Sequence, residues 1–305
     1  MKSSSNWKCI LTADWHIRAD SPVCRTDDFQ AAMWKKIRFI FELTHEFMTR
    51  DNEDSIPILF AGDLGHRPQW PNWLIEKFMG EIDNYNAFPI RLMMVAGQHD
   101  APEHNLDLLP RSGVGVLMRS EYVTQIDDIQ PDILIEGFDY GKKIKKIRNG
   151  GSVAVAHQLV IEDKPEWPGQ VADSAKSLLK KFPQYDLILT GDNHKAFVVE
   201  YEGRILVNPG SMMRTTADQI NHKPRVYLWD GEGVEPVYLP IEEGVISREH
   251  IDIGQDRDHR ISAYIERLNA NYEIGLDFKK NMVDHLKANR TRKEIKSRIW
   301  GAMGE

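Results

Sequence analysis

The chain has 305 residues, 41% of them hydrophobic and 28% charged, with a formal net charge of −7. That is ample chain for a buried core in one large domain with an appendage, or in two domains. The acidic balance counts against a stand-alone, high-affinity binder of polyanions. No apolar run approaches the roughly 20 residues that span a bilayer, and residues 1–5 (Met-Lys-Ser-Ser-Ser) open no signal-peptide apolar region. Cys9 and Cys24 alone make no disulfide framework, so a cytoplasmic protein is expected.

In chain order, the first strand is expected at Cys9–Ala13. A helix follows over 27–50, started by Asp27-Asp28, with Phe29, Met33, Ile37, Ile40, Phe41 and Leu43 as its apolar stripe. A second strand is expected at Ile56–Ala61, a helix over 72–85 and a third strand at Arg91–Ala96. Weaker strands lie near 121–125 and 132–137, and 152–156 is a buried strand ending at His157. Next come a helix over 172–182, a strand at 186–190, and a hairpin of 195–201 and 204–207 around Glu202-Gly203. Strand-like runs at 224–230 and 236–240 complete the β-rich part. The composition shifts near 241–257, and helices are expected over 258–271 and 276–300, the second with a basic side that includes Lys279, Lys280, Lys287, Lys293, Lys296 and Arg298. The pattern predicts an α/β fold of two sheets with outer helices over 1–240, and a small C-terminal helical region over 241–305.

The strand ends carry the chemistry. Asp14 and His16, two residues apart, face one side of an extended segment and can share an ion. Asp63 follows Gly62, which permits close approach of other groups, and His66 comes three residues later. Gln98 and His99 follow the third strand, His157 the buried one, and Asp192 and His194 the strand at 186–190. Each alone has an ordinary explanation, such as a turn, a helix cap or a core histidine. Together they place carboxylate, amide and imidazole groups at five strand ends, where α/β folds bind ligands, in a composition suited to metals.

On these motifs the chain resembles the calcineurin-like metallophosphoesterases. D-x-H, GD, a G-(amide)-H turn, a single His and a Gly-x-x-His turn occur in family order across residues 8–214, closed by Asn208-Pro209-Gly210-Ser211. Gly62-Asp63-Leu64-Gly65-His66, His99-Asp100-Ala101-Pro102 and Met212-Met213-Arg214 resemble the SbcD-type double-strand-break repair exonucleases in particular. The resemblance implies a two-sheet sandwich flanked by helices and two divalent ions, Mn²⁺ or Mg²⁺. Asp14, His16, Asp63 and His194 would hold the first ion. Asp63 would bridge to a second, held also by Gln98, His157 and Asp192. His99 would contact the scissile phosphate and assist the leaving oxygen, with His66 orienting the phosphate. This sequence departs from the pattern twice: Gln98 stands where the family has Asn, and Asp192 where it has His. The second replaces an imidazole by a hard oxygen donor, which favours Mn²⁺ or Mg²⁺.

The activity implied is phosphodiester hydrolysis on DNA ends or strands by the nuclease subunit of an SbcCD-like repair and recombination complex. The C-terminal region would dock an SbcC-type coiled-coil ATPase, and a homodimer is compatible with the resemblance. Two other readings stay open: the same chemistry on nucleotides or phosphoproteins, and a weakly catalytic scaffold that recruits the ATPase. Two further features are read both ways. The basic run 142–148 is a solvated loop or a phosphate-backbone contact. Trp70 and Trp73 are a substrate wall, a dimer surface or a core edge.

Overall fold

Runs such as Ile10-Leu11 and Val153-Ala154-Val155-Ala156 are apolar at every position rather than at alternate ones. Such runs form strands covered on both faces, and that is their environment here. The structure is a computed structural model, and it describes residues 8–51, 56–85, 90–126, 135–146, 153–165, 170–249, 278–289 and 291–302. The chain divides into two compact units, residues 1–247 and 248–305.

In the first unit, β1 (Cys9–Thr12), β2 (Ile58–Phe60), β3 (Leu92–Met94) and β4 (Thr124–Gln125) run parallel, in register Ile10 to Ile58 to Leu92. β12 (Arg225–Trp229) adds antiparallel to β1, and β13 (Val234–Tyr238) to β12, giving a six-stranded sheet in the order β13-β12-β1-β2-β3-β4. The second sheet has parallel strands β5 (Ile135–Phe138), β6 (Val153–Ala156), β9 (Leu187–Thr190) and β11 (Arg204–Asn208), with β10 (Phe197–Tyr201) antiparallel at its edge. Its order is β10-β11-β9-β6-β5. A small ladder joins β7 (Val160–Ile161) to β8 (Asp173–Ser174).

Alternation along each strand assigns its side chains to different cores. Leu11, Leu59, Met93, Val155, Leu189 and Val207 meet between the sheets. Ile10, Ile58, Phe60 and Met94 face the helices α1 (Phe29–Asp51), α2 (Asn72–Asp83) and α3 (Gly113–Arg119). Ala154, Ile188 and Leu206 pack on the opposite side against Leu178 and Leu179 of α4 (Ala175–Lys181). The result is the two-sheet sandwich with flanking helices expected from the sequence. α1 starts where Asp28 Oδ1 accepts from the Ala31 amide at 2.9 Å, an N-cap that supports the helix start. Trp70 belongs to the core beside Phe78, at 6.1 Å between ring centroids, whereas Trp73 is about half exposed, at 48%. The segment 245–247 is tied back to 24–26 through Thr26 N to Val245 O at 3.1 Å and Ser247 N to Cys24 O at 2.7 Å.

Differences from the sequence reading are local. The helix expected over 172–182 begins only at Ala175, because Asp173–Ser174 pairs with β7. In the second unit, the single helix expected over 276–300 is two, α5 (Phe278–Ala288) and α6 (Lys293–Ala302). Asn289 turns back on His285 O with its backbone N at 3.1 Å and with Nδ2 at 3.0 Å. Thr291 N then closes on Leu286 O at 3.2 Å, and Arg292 O accepts from Ile295 and Lys296, which starts the next helix. An Asn side chain that competes for backbone partners and a β-branched Thr both weaken helix continuation. The helix expected over 258–271 lies outside the described residues, as do Ile147 and Arg148 of the basic run. No helix among the described residues is long and apolar enough to cross a membrane.

Candidate metal centre

The carboxyl ends of β1, β2, β3, β6 and β9 lie along one edge of the two sheets, and the loops that leave them carry the residues singled out above. The first two loops are stitched together by their backbones: Asp14 N donates to Gly62 O at 3.0 Å, His16 N to Asp63 O at 3.1 Å and Ile17 N to Leu64 O at 2.8 Å. Asp14, His16, Asp63 and Asp192 all have left-handed backbones, with φ of 51°, 47°, 60° and 76°. For residues with a Cβ this conformation is strained, and such strain concentrates at functional sites.

The side chains converge on a small space. Asp14, His16 and His194 each offer a donor atom within 4.8 Å of the others, as do Asp14, Asp63 and His157, and likewise His16, Asp63 and His99. Asp63 is at the centre. Its Oδ1 accepts from the His99 backbone amide at 2.8 Å. Its Oδ2 is buried with no hydrogen-bond partner. That oxygen faces Nε2 of His157 at 3.5 Å and Nε2 of both His16 and His99 at 3.9 Å. Nε2 of His16 and Nε2 of His194 are 3.0 Å apart.

Two further contacts define the other end. His157 Nδ1 lies 2.6 Å from Ala61 O. A carbonyl can only accept, so Nδ1 carries a proton, and unless the ring takes up a second proton its Nε2 faces the site as an acceptor. That nitrogen meets Gln98 Oε1 at 2.7 Å. Gln98 Nε2 in turn donates to Asp192 Oδ1 at 2.7 Å, and the Asp192 backbone amide donates to both Asp14 oxygens at 3.1 and 3.2 Å. The site therefore brings acceptor against acceptor, at His157–Gln98 and His157–Asp63, which is favourable only when a proton or a cation lies among them.

Electrostatics agree with this. Burial pushes the Asp14 carboxyl well up, with the Asp63 charge adding to it and His157 opposing. Burial would raise Asp63 too, but His157, His16 and His99 outweigh it and hold that carboxyl at about 2. Burial disfavours a charged His157, yet Asp63 and Asp14 bring it up to about 10. Burial lowers His16 and His194. So one proton on His157 partly neutralises a crowd of carboxylates. Divalent cations held by Asp14, His16, Asp63, Gln98, His157 and His194 would do so more completely, and this oxygen-and-imidazole donor set fits them.

All nine residues singled out from the sequence border this region. His66 stacks on His99 at 5.9 Å with planes 15° apart. Burial, with Arg18 and His99, lowers His66 to about 4, which leaves it neutral at pH 7. Asp192 is engaged by Gln98, outside the three groups above. Gly62 and Gly97 are required sterically, because a Cβ on Gly62 would strike the His157 ring and one on Gly97 the Asp63 carboxylate.

In the sequence Asp100 is visible only as part of a motif, and its role emerges here. Fully buried, it accepts from the amides of Gly97 at 2.8 Å, Asp63 at 3.0 Å and Gly65 at 3.0 Å. It thereby locks the loop that carries Asp63 to the loop that carries His99. Burial pushes its carboxyl up to about 7, with the Asp63 charge adding and the Gly65 and Gly97 amides opposing. Its bond to the Gly97 amide spans three residues, whereas those to the Asp63 and Gly65 amides span 37 and 35 and leave no local signal in the sequence. Asn208 does the same for the last loop: its Nδ2 donates to Asn193 O at 2.5 Å and to Lys195 O at 2.8 Å.

Among solved structures, the chain is similar to an archaeal phosphodiesterase, at 15% identity over 76% of this chain and 99% of that one, with a TM-score of 0.38. It is also similar to vacuolar protein sorting 29 from Cryptosporidium parvum, at 15% identity over 76% of this chain and 97% of that one, with a TM-score of 0.33. No curated protein matches it in sequence. The sequence profile of the calcineurin-like phosphoesterases, however, matches residues 8–196, more than half of the 305, and spans every residue placed at this centre. The chain belongs to the calcineurin-like phosphoesterase family.

Proposed function

We propose that this chain is a two-metal phosphodiesterase that hydrolyses DNA ends or strands, with Mn²⁺ as the preferred ion. The observation that carries the substrate class is a pair of clefts meeting at Asp192. One is lined by Lys195, Lys223 and Arg225 against Asp218, the other by Lys143 and by Lys142, which pairs with Asp139 at 2.8 Å, against Asp173. Cationic side chains on both sides of the centre suit an extended polyanion, whose successive phosphates need contacts beyond the scissile one. A small phosphomonoester needs a single cradle. The motif resemblance to SbcD-type exonucleases points the same way.

Divalent cations bound at Asp63 supply Lewis acidity and lower the pKa of attacking water. The residues do the rest. Asp14, His16 and His194 would hold the first cation and Gln98 and His157 the second, with Asp63 shared by both. His99, partly exposed at the rim, reaches the phosphate and donates a proton to the departing oxygen. Neutral His66 stacks on His99 with planes 15° apart and would steady its ring beside the phosphate. The helices of 278–302, with Lys287, Lys293 and Arg298 exposed, belong to the same proposal as the docking segment for a coiled-coil ATPase.

The test is a substrate panel of duplex DNA, single-stranded DNA, bis-p-nitrophenyl phosphate and cyclic nucleotides in Mn²⁺. DNA hydrolysis with a steep fall of 1/KM in salt is expected, and Lys143→Glu with Lys223→Glu should raise KM and flatten the salt slope by about one unit per phosphate contact removed. Preference for cyclic nucleotides, with no salt dependence on DNA, would assign the same chemistry to a different substrate.

A further inference from the structure

The two positions at which this sequence departs from its family touch each other. Gln98 Nε2 donates to Asp192 Oδ1 at 2.7 Å across 94 residues of sequence, and Gln98 Oε1 faces His157 Nε2 at 2.7 Å. We propose that Asp192 is a positioning residue for Gln98: its carboxylate fixes which end of the amide faces the second cation position. This rests on the two-metal reading above.

A terminal amide has two ends of nearly equal shape, and only the oxygen end can bind a cation. A carboxylate accepts and never donates when ionised, so it selects the NH₂ end. With Asp192 in place, Oε1 is turned toward His157 and into the space shared with Asp63. Asp192 itself is occupied twice over: its carboxylate by Gln98, and its backbone amide by the Asp14 carboxylate. Its carboxylate stands outside every group of three donor residues that converge within 4.8 Å among the described residues.

The consequence is an asymmetric centre. The first position would take Asp14, the shared Asp63 and two imidazoles, whereas the second would take the shared Asp63, one neutral amide oxygen and one imidazole. With one fewer negative ligand, the second ion would bind more weakly than the first. Gln98 and Asp192 therefore act as one unit, and their effects should not add.

The discriminating experiment is Mn²⁺ titration of the purified chain by isothermal calorimetry, with free Mn²⁺ followed by electron paramagnetic resonance. The proteins are wild type, Asp192→Ala, Gln98→Glu and the double variant, each checked for folding by thermal melt. Two Mn²⁺ of unequal affinity are expected in wild type. Asp192→Ala frees the amide and should weaken the second ion about 10–100-fold, the range for lost outer partners of metal ligands. The carboxylate introduced by Gln98→Glu has two equivalent oxygens and needs no orientation, so in that background the Asp192→Ala change should cause no loss. Asp192→Asn, which can still accept from Gln98, should stay within a few-fold of wild type and serves if the alanine variant does not fold. Equal loss from Asp192→Ala in both backgrounds would make Asp192 a direct ligand and overturn the proposal. A single Mn²⁺ in wild type would instead remove the two-metal reading, and the proposal with it.

Discussion

Removing the Asp100 carboxylate should loosen the whole centre although Asp100 is none of the proposed ligands. Three buried backbone amides, those of Asp63, Gly65 and Gly97, depend on it. Asp100→Ala strands all three, at about 1–3 kcal/mol each, or roughly 3–9 kcal/mol together. A typical domain holds only about 5–15 kcal/mol, so the alanine variant should be largely unfolded. Asp100→Asn is the informative change. Oδ2 serves Asp63 and Gly97, and Oδ1 serves Gly65, so the asparagine oxygen can keep the first pair while its NH₂ opposes the Gly65 amide. One lost acceptor costs about 1–3 kcal/mol, which at about 2–4 °C per kcal/mol lowers Tm by about 2–12 °C. Urea denaturation at pH 8, above the carboxyl's value of about 7, measures it, and Mn²⁺ affinity should fall in parallel because the Asp63 loop is no longer pinned. An Asp100→Asn protein within about 0.5 kcal/mol of wild type, with unaltered Mn²⁺ binding, would refute the reasoning.

Three further outcomes follow from named contacts. Lys36 is buried, and burial first, then Arg25 and Arg214, lowers its ammonium to about 8 from 10.5. The unfolded chain then binds the extra proton between those values, so stability should rise with pH from about 8 to 10.5 by up to about 3 kcal/mol; Lys36→Met should abolish that rise in urea melts and be the more stable protein at pH 7. Gly97→Ala sets a methyl against Asp63, whose backbone N would lie 2.5 Å from it. It should cost about 1–3 kcal/mol and reduce bound Mn²⁺ by equilibrium dialysis, whereas full occupancy at wild-type stability would contradict the steric argument. His99→Ala should lower turnover about 10²–10⁴-fold with both Mn²⁺ ions retained; loss of metal instead would make His99 a ligand, a role its 3.9 Å approach to Asp63 leaves within reach.

Much of the architecture could be read from the sequence because the strands are buried on both faces. Uninterrupted apolar runs ending in Asp, His or Gln marked both the sheets and the edge where ligands gather, and the pattern located all nine residues placed at the centre. What could not be read was set by partners distant in sequence. The role of Asp100 depends on the amides of Asp63 and Gly65, 37 and 35 residues away, which no local pattern shows. Gln98 and Asp192 are separate departures in the sequence, and only the fold sets them 2.7 Å apart. The left-handed backbones of Asp14, His16, Asp63 and Asp192 gave no signal, since no glycine marks them. The break between α5 and α6 was hidden by a hydrophobic period that continues across it, and depends on Asn289 folding back on His285.

The central claim is that Asp63 organises a two-metal centre that cleaves phosphodiesters in DNA. Digestion of end-labelled DNA by the purified chain in Mn²⁺, alongside Asp63→Asn and with the metal content of both proteins measured, tests it most directly. The account predicts cleavage by wild type that chelation abolishes and Mn²⁺ restores, and an Asp63→Asn protein that is folded, inactive and depleted of metal. An Asp63→Asn protein that cleaves at the wild-type rate, or a wild type that holds two Mn²⁺ yet leaves DNA intact, would contradict it.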